Sequence, residues 1–201
     1  MVSNEEILVN KRNGRGKEAL QIDKIHAMVG FATDGITGVS ASHVEMNSGI
    51  QLFDGISTAD IQQILIKSAN DLITLESPNY QYVAARLLLF SLRKQLFHRL
   101  WDHPKLIDHI KKLIDMGLYD KDILVNYDES EIDRMNMWID HERDYNFTYA
   151  GLRQVMDKYL VQDRSTGEIF ETPQFMYMMI SATLFAQYPK DKRMSYVKKY
   201  Y

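Results

Sequence analysis

An apolar run that leads into an Asn-Gly pair constrains the start of this chain most strongly. Residues 7–14 read Ile-Leu-Val-Asn-Lys-Arg-Asn-Gly. Asn and Gly both tolerate a positive φ, so this pair beside apolar residues predicts a tight β-hairpin. We expect the hairpin to span roughly residues 7–22, with the adjacent cations Lys11 and Arg12 next to its turn. A helix should follow directly, with Asp23 as its N-cap.

The cations beside the turn have two interpretations. Together with the backbone N–H groups of the next helix start, at Asp23 and Lys24, Lys11 and Arg12 could hold an anion. The more ordinary interpretation is a solvated turn that carries two surface cations, because lysines are mostly exposed. Local chemistry alone favours this second interpretation.

Composition limits the classes of function. The chain has 201 residues, of which 45% are hydrophobic and 25% charged, and this suits a globular protein of one or two domains. Its net charge of −3 predicts no basic surface for nucleic acid. It contains no apolar run long enough for a membrane span and begins without a signal peptide, so we expect a cytoplasmic protein with no membrane partner. There is no cysteine, which excludes disulfides and thiolate zinc sites within these residues.

The hydrophobic pattern predicts an α+β fold that is mostly α. Ser57-Thr58-Ala59-Asp60 resembles a capping box, and Ser77-Pro78 and Thr172-Pro173 are typical helix starts. Gly117 should end one helix, and Ser130 should cap another. Helices are predicted at roughly 23–33, 40–49, 58–72, 78–100, 106–114, 131–138, 147–159, 173–184 and 191–201, with two short strands in 160–170. With a boundary near residues 101–104, the domains are 1–98, a hairpin over a small helical bundle, and 99–201, a helical domain with a short β-hairpin.

No catalytic residue and no metal site is predicted. His141-Glu142-Arg143-Asp144 lacks a second His at i+4, and Asp102-His103 has no partner nucleophile. Gly14-Arg15-Gly16 matches neither a Walker loop nor a dinucleotide fingerprint. The aromatic residues of Tyr80-Gln81-Tyr82 and Phe90 could stack on a base, but aromatic residues at this spacing are more often core residues.

Seven short segments, taken together, resemble the large subunit of class I ribonucleotide reductase. They are Val9–Gly14, Asp23–His26, Asp54–Thr58, Tyr80–Arg86, His141–Asp144, Tyr159–Asp163 and Thr166–Phe175. The resemblance covers essentially the whole chain. Its first 95 or so residues resemble the ATP-cone, the regulatory domain that binds ATP as activator or dATP as inhibitor. The remainder resembles the N-terminal helical domain that precedes the catalytic ten-stranded barrel.

The resemblance implies a nucleotide site on the hairpin. Lys11 would contact the phosphates from the hairpin roof, Arg12 would lie beside it, and Lys24 and Lys94 would also contact phosphates. Glu18 would contact the base or ribose edge, and Thr58 would face the nucleotide. The complete implied set is Val9, Lys11, Arg12, Glu18, Ala19, Leu20, Gln21, Ile22, Asp23, Lys24, Thr58 and Lys94.

The chain departs from the family pattern in two places. The hairpin is one residue longer than the common pattern, so Lys17 is an alternative to Glu18 for the base contact. Gln62 and Ser91 stand where the family can carry histidines that help to accommodate the inhibitory nucleotide. Which effector prevails, and how many nucleotides bind, is therefore open.

The resemblance implies the N-terminal regulatory part of a ribonucleoside-diphosphate reductase, an oxidoreductase of deoxyribonucleotide synthesis. ATP or dATP, with Mg²⁺, would be the effector, and the partners would be the barrel part of the large subunit and the radical-generating small subunit. Reduction uses cysteines of the barrel, so we expect no catalysis by this chain alone. A split-gene product and a truncation both fit a chain that ends before the barrel. The alternative is a degenerate cone that only docks the rest of the reductase, through the Met-rich helix Phe175–Phe185.

Overall fold

The computed structural model describes residues 7–11, 16–49, 54–98 and 101–201. The chain divides into two compact units. The first contains residues 1–91 and 145–152, and the second contains residues 92–144 and 153–201. One short hairpin and ten α-helices are present in the described ranges, so the prediction of a mostly helical α+β fold is confirmed. The domain limits of 1–98 and 99–201 stay a prediction.

The first unit begins with the predicted hairpin. Strand β1 is Leu8–Asn10 and strand β2 is Lys17–Ala19, and the two are antiparallel. Val9 lies opposite Glu18, and Asn10 lies opposite Lys17. The predicted Asn13-Gly14 turn and Arg12 lie outside the described residues.

The second edge of β1 is also paired. Asn10 forms an isolated parallel bridge with Ser57, and its N–H donates to the carbonyl of Ile56 at 3.0 Å. The Gly55 N–H donates to the carbonyl of Leu8 at 2.8 Å. Gly55 has φ +87°, which only glycine adopts without strain. The hairpin is therefore joined to the segment that leads into the third helix.

Four helices follow the hairpin: α1 (Ile22–Thr33), α2 (Ala41–Ser48), α3 (Thr58–Asp71) and α4 (Tyr80–Phe97). The start of α3 is the one predicted: Ser57 Oγ accepts a hydrogen bond from the Asp60 N–H at 3.0 Å. Ser40 caps α2 in the same way, through the His43 N–H. These caps need only neighbouring residues, which is why the sequence reveals them.

Two predicted helix starts are wrong. Helix α1 has Gln21 as its N-cap, so Asp23 lies inside the first turn. The Leu20 N–H makes the last hairpin bond, to the Ile7 carbonyl at 2.8 Å. Helix α1 follows directly after it and therefore begins earlier than Asp23 predicts. Helix α4 begins at Tyr80, because the first hydrogen bonds after Pro78 run to carbonyls three residues back and form a 3-10 turn: the Gln81 N–H donates to the Pro78 carbonyl at 3.2 Å.

The core of the first unit lies between its helices. Tyr80 is 3% exposed and Phe90 is 1% exposed, which supports their interpretation as core residues. The Tyr80 hydroxyl also accepts a hydrogen bond from the Ser40 N–H at 3.1 Å and so ties α2 to α4. Other buried apolar residues here are Val9, Met28, Val29, Ala32, Val44, Ile56, Ile61, Leu65, Ile66, Ala69, Val83 and Leu87.

The second unit is built on helices. They are α5 (Leu106–Asp115), α6 (Asp122–Asn126), α7 (Glu129–Trp138), a 3-10 helix (His141–Asn146), α8 (Tyr149–Lys158), α9 (Pro173–Phe185) and α10 (Lys190–Tyr200). Residues of the 3-10 helix after Asp144 and the first turn of α8 belong to the first unit. A buried apolar cluster from α5, α6, α7, α9 and α10 holds the second unit together.

Local sequence signals predict the start of α9 in this unit, but the predictions for α7 and for residues 160–170 need correction. Thr172 and Pro173 start α9 as predicted. Asp128, not Ser130, caps α7, because Asp128 and Glu131 form a reciprocal capping box and Ser130 only donates to Asp128. The two strands predicted in 160–170 reduce to one bridge, Gln162↔Ile169, since only a few hydrogen bonds flank the turn there.

Candidate functional site

One face of the hairpin carries a buried apolar side chain, Val9, and two charged side chains, Lys11 and Glu18. Val9 and Glu18 are directly opposite, and Lys11 is two residues beyond Val9, so all three side chains share this face. Val9 is 2% exposed, whereas the side chains of Lys11 and Glu18 are 41% and 30% exposed. Lys11 Nζ lies 2.7 Å from Glu18 Oε2. The register thus places Glu18, and not Lys17, on the face of Lys11.

The charge of Glu18 depends on two lysines from different elements. The hydrogen bond from Lys11 is the largest effect and lowers the pKa of Glu18 below its usual value of 4.5. Burial opposes this shift, and the charge of Lys24 adds to it. Lys24 belongs to α1, so the first turn of that helix acts on the same carboxylate as the hairpin does. Glu18 is therefore ionised at neutral pH.

The start of α1 offers backbone donors beside these charges. Gln21, the N-cap residue, forms no side-chain capping bond within the described part of the chain. The first N–H groups of a helix carry the positive end of its dipole and can bind an anion. Asp23 adds a carboxylate to the same turn, and Ile22 is 51% exposed. This helix start combines polar donors with an exposed apolar side chain.

The pairing of β1 brings the start of α3 to the hairpin. Since Asn10 bridges Ser57, Thr58 follows directly after a residue paired with β1. The Leu8 N–H also donates to Asp54 Oδ1 at 3.1 Å, and Asn10 Nδ2 donates to the Gly55 carbonyl at 2.6 Å. Sequence reasoning missed the roles of Asn10 and Asp54, because one bridge between segments 45 residues apart leaves no periodic pattern.

The structure brings most of the predicted site residues into one unit. Those described in the first unit are Val9, Lys11, Glu18, Ala19, Leu20, Gln21, Ile22, Asp23, Lys24 and Thr58. Arg12 lies outside the described residues, and Lys94 lies on the part of α4 that belongs to the second unit, so their predicted phosphate contacts stay predictions. The charged site residues described in the first unit are two lysines and two carboxylates, of which Lys11 and Glu18 form an ion pair.

The two positions where the family can carry histidines are buried. Gln62 is 2% exposed, and its Nε2 donates to the Leu87 carbonyl at 2.9 Å, which links α3 to α4. Ser91 is 8% exposed. Gln62 therefore has a packing role inside the first unit.

The His141–Asp144 segment is structural. Asp144 is buried, accepts a hydrogen bond from Gln174 Nε2 at 2.7 Å and lies 3.5 Å from Arg93 Nη2. The His141 ring stacks on His103 with 3.7 Å between centroids, and burial lowers the pKa of His141 to about 3. No group of three or more His, Asp or Glu side chains in the described ranges could hold a metal ion. None of the helices in those ranges combines the length and apolar character of a membrane span.

The second unit contains a cavity of about 600 Å³ beside α6 and α9. Its lining is mostly apolar, with Ile123, Met176 and Met179 among the residues. Its buried polar groups are satisfied by one another, since the Tyr119 hydroxyl donates to Glu171 and the Val161 N–H donates to Glu171 Oε1. Burial raises the pKa of Glu171. Tyr119 and Glu171 are therefore engaged with partners inside this unit, which makes the hairpin face the stronger candidate.

Comparison with known proteins finds two family models that match different parts of the chain. The family model of the ATP cone domain matches residues 7–95, and the model of the ribonucleotide reductase all-alpha domain matches residues 145–201. The chain is 48% identical over 198 residues to the ribonucleoside-diphosphate reductase subunit alpha of Haemophilus influenzae, covering 98% of this chain and 26% of that protein. Identity to the ribonucleoside-diphosphate reductase 1 subunit alpha of Escherichia coli is 46%, with the same coverage.

The chain belongs to the ribonucleotide reductase large-subunit family. A more distant relative, the ribonucleoside-diphosphate reductase subunit alpha of Enterobacteria phage T4, is 40% identical. The alignment covers 96% of this chain and 26% of the phage protein. The chain thus spans about a quarter of the length of these curated relatives. Within the family, the hairpin and α1 to α4 correspond to the ATP-cone match.

Proposed function

We propose that the first unit binds ATP or dATP, with Mg²⁺, as an allosteric effector of a ribonucleoside-diphosphate reductase. Reduction of ribonucleotides to deoxyribonucleotides would take place in the barrel part of the large subunit, with the radical from the small subunit. The observation that carries this proposal is the exposed ion pair of Lys11 with Glu18, at 2.7 Å, on the hairpin of the segment that matches the ATP cone domain. A cytoplasmic location stays a prediction from the sequence.

The roles of the residues follow from their chemistry. Lys11 and Lys24 supply charge-assisted hydrogen bonds to phosphate, which are stronger than neutral ones. The first N–H groups of α1 add donors for the same anion. Ile22 offers an apolar surface for the base, and Thr58 offers a hydroxyl from the start of α3. Arg12 and Lys94 would add further phosphate contacts.

Regulation would act through coupled equilibria. A nucleotide changes the assembly of a reductase only if it binds one quaternary state more tightly than the other. Allosteric coupling is typically about 1–3 kcal/mol, which corresponds to roughly 5- to 150-fold in affinity. The bridge between β1 and the start of α3 supports the proposal, because it joins the hairpin proposed to contact the nucleotide to helix α3.

The test is isothermal titration of the chain with ATP and with dATP, repeated on Lys11→Ala. Loss of a hydrogen bond to a charged group costs about 1.5–3 kcal/mol, so affinity should fall roughly 13- to 150-fold. Lys67→Ala is the matched control, since Lys67 is an exposed lysine that pairs with Asp71 on α3. It should leave binding unchanged. No detectable binding by the unaltered chain at millimolar nucleotide would refute the proposal.

A second candidate is docking of the rest of the reductase without nucleotide. It is supported by Ile180 and Leu184, which are 47% and 62% exposed on α9. Most of the Phe175–Phe185 helix is buried in its own unit, so only this edge can dock. Replacing Ile180 and Leu184 with Glu should then weaken association with a barrel fragment, whereas Leu75→Glu, an exposed control, should not. Association that survives the double replacement would exclude docking through this edge.

A further inference from the structure

The cavity of the second unit, beside α6 and α9, has the size and the wall of a small-molecule site. Its volume of about 600 Å³ is ordinary for such sites. Met176 and Met179 of α9 line it, together with the rings of Tyr119 and Tyr159. Methionine fills irregular gaps and makes favourable contacts with aromatic rings. The wall therefore suits a ligand with an apolar body, and an aromatic one best.

The lining changes from exposed to buried along the cavity. Asp120 and Asp122 are exposed, whereas Met176 is buried and Glu171 is only 1% exposed. Both kinds of residue line the same cavity. A ligand that enters past the two aspartates can therefore reach a carboxylate that is shielded from bulk water.

The hydrogen bonds printed in the fold around Glu171 come from neutral groups. The Tyr119 hydroxyl donates to Glu171 Oε2, and the Val161 N–H donates to Oε1 at 2.7 Å. Burial, and next the charge of Glu171, raise the pKa of Tyr119, so this phenol stays a neutral donor. A carboxylate has about four acceptor positions, which leaves Glu171 able to accept from a further donor. A positively charged donor would bond it most strongly.

The charged residues of the lining all carry the same sign. Among the described residues that line the cavity, the charged ones are Asp120, Asp122 and Glu171, and none is a lysine or an arginine. Lys121 stands between the two aspartates in the sequence but does not line the cavity. Three carboxylates without a cation in the wall attract a positive ligand and repel a negative one.

We propose that this cavity binds a small organic cation, with an apolar body against Met176 and Met179 and an ammonium group bonded to Glu171. Asp120 and Asp122 favour its entry by their charge. The site lies wholly in the second unit and is independent of the nucleotide proposed for the hairpin.

The test follows the methionine methyl NMR signals of the chain during titration with three ligands that share one apolar body: phenylbutylamine, phenylbutanol and phenylbutyrate. The amine should shift Met176 and Met179 in a saturable way. It should leave Met178, a buried residue of the same helix that does not line the cavity, unchanged. A charge-assisted hydrogen bond is about twice as strong as a neutral one, so the amine should bind roughly 5-fold tighter than the alcohol, and the carboxylate weakest.

Two variants locate the ligand. Glu171→Gln should remove the preference for the amine over the alcohol, whereas Glu168→Gln, an exposed acid of the same segment that does not line the cavity, should keep it. Thr183→Trp places a large ring at an exposed lining position and should abolish binding of all three ligands. Leu184→Trp, on the next residue of α9 and outside the lining, should leave binding intact.

Each arm has an outcome that overturns the proposal. No shift of Met176 and Met179 at millimolar amine would exclude the site. Equal affinity for the amine and the alcohol would show an apolar cavity with no preference for a cation, and this comparison on the unaltered chain decides the matter even if Glu171→Gln does not fold. The same loss of preference in Glu168→Gln would show a general charge effect, and unaffected binding by Thr183→Trp would place the ligand elsewhere.

Discussion

The substitution Asn10→Ala tests whether the hairpin holds the start of α3 in place. Its Nδ2 donates to the Gly55 carbonyl at 2.6 Å, between segments 45 residues apart. Its backbone N–H donates separately to the Ile56 carbonyl at 3.0 Å. Asn10→Ala removes the first bond, keeps the second and changes no charge. Any effect on the site must then come from the position of the hairpin.

The size of the effect follows from the burial of this bond. A hydrogen bond contributes about 0.5–1.5 kcal/mol net, and a partner left unsatisfied in a buried place raises the cost to about 1–3 kcal/mol. The contact is part-buried, so water reaches the Gly55 carbonyl to some degree, and we expect about 1–2 kcal/mol. Amide hydrogen exchange of peptides from residues 7–11, 16–20 and 54–60 should become roughly 5- to 30-fold faster.

Asn47→Ala provides the control for Asn10→Ala. Asn47 Nδ2 donates to the Ser68 carbonyl at 3.1 Å and is also part-buried, but it joins α2 to α3 instead of the hairpin. It should cost similar stability and leave exchange in the hairpin unchanged. ATP affinity should fall for Asn10→Ala alone. Less than a 2-fold change in hairpin exchange, or the same change with Asn47→Ala, would refute the reasoning.

Two further predictions concern the second unit. Arg193 and Glu131 form a buried ion pair, with Nε–Oε1 at 3.1 Å, so Glu131→Gln leaves an uncompensated guanidinium and should cost about 3–5 kcal/mol in urea unfolding. A loss below about 1 kcal/mol would contradict this. The pKa of His141 falls from 6.5 to about 3 on folding, so the unfolded chain takes up protons first. The stability that this histidine supports is present above pH 6.5 and is lost as pH falls toward 3. Between pH 7 and pH 5, the free energy of unfolding should therefore fall by about 1–2 kcal/mol less for His141→Phe than for the unaltered chain. Parallel pH profiles of this free energy for the two proteins would refute the prediction.

Much of the fold can be predicted from the sequence because it depends on neighbouring residues. The cap Ser57 and the start at Thr172-Pro173 use chemistry within a few positions of the chain. Errors arise where tertiary packing competes with such signals. Helix α4 begins two residues after Pro78, at Tyr80, whose ring is buried, and α1 has Gln21 as its cap, directly after Leu20 makes the last hairpin hydrogen bond.

By itself, the sequence determined that a hairpin precedes a helical bundle and predicted cations beside its turn, because apolar periodicity and turn residues act locally. The tertiary structure decided which groups meet those cations. The register set Glu18 against Lys11, and the Asn10–Ser57 bridge brought Thr58 to the hairpin. Such contacts depend on where distant segments pack, and a shift of one residue in register would have turned Lys17 toward Lys11 instead of Glu18.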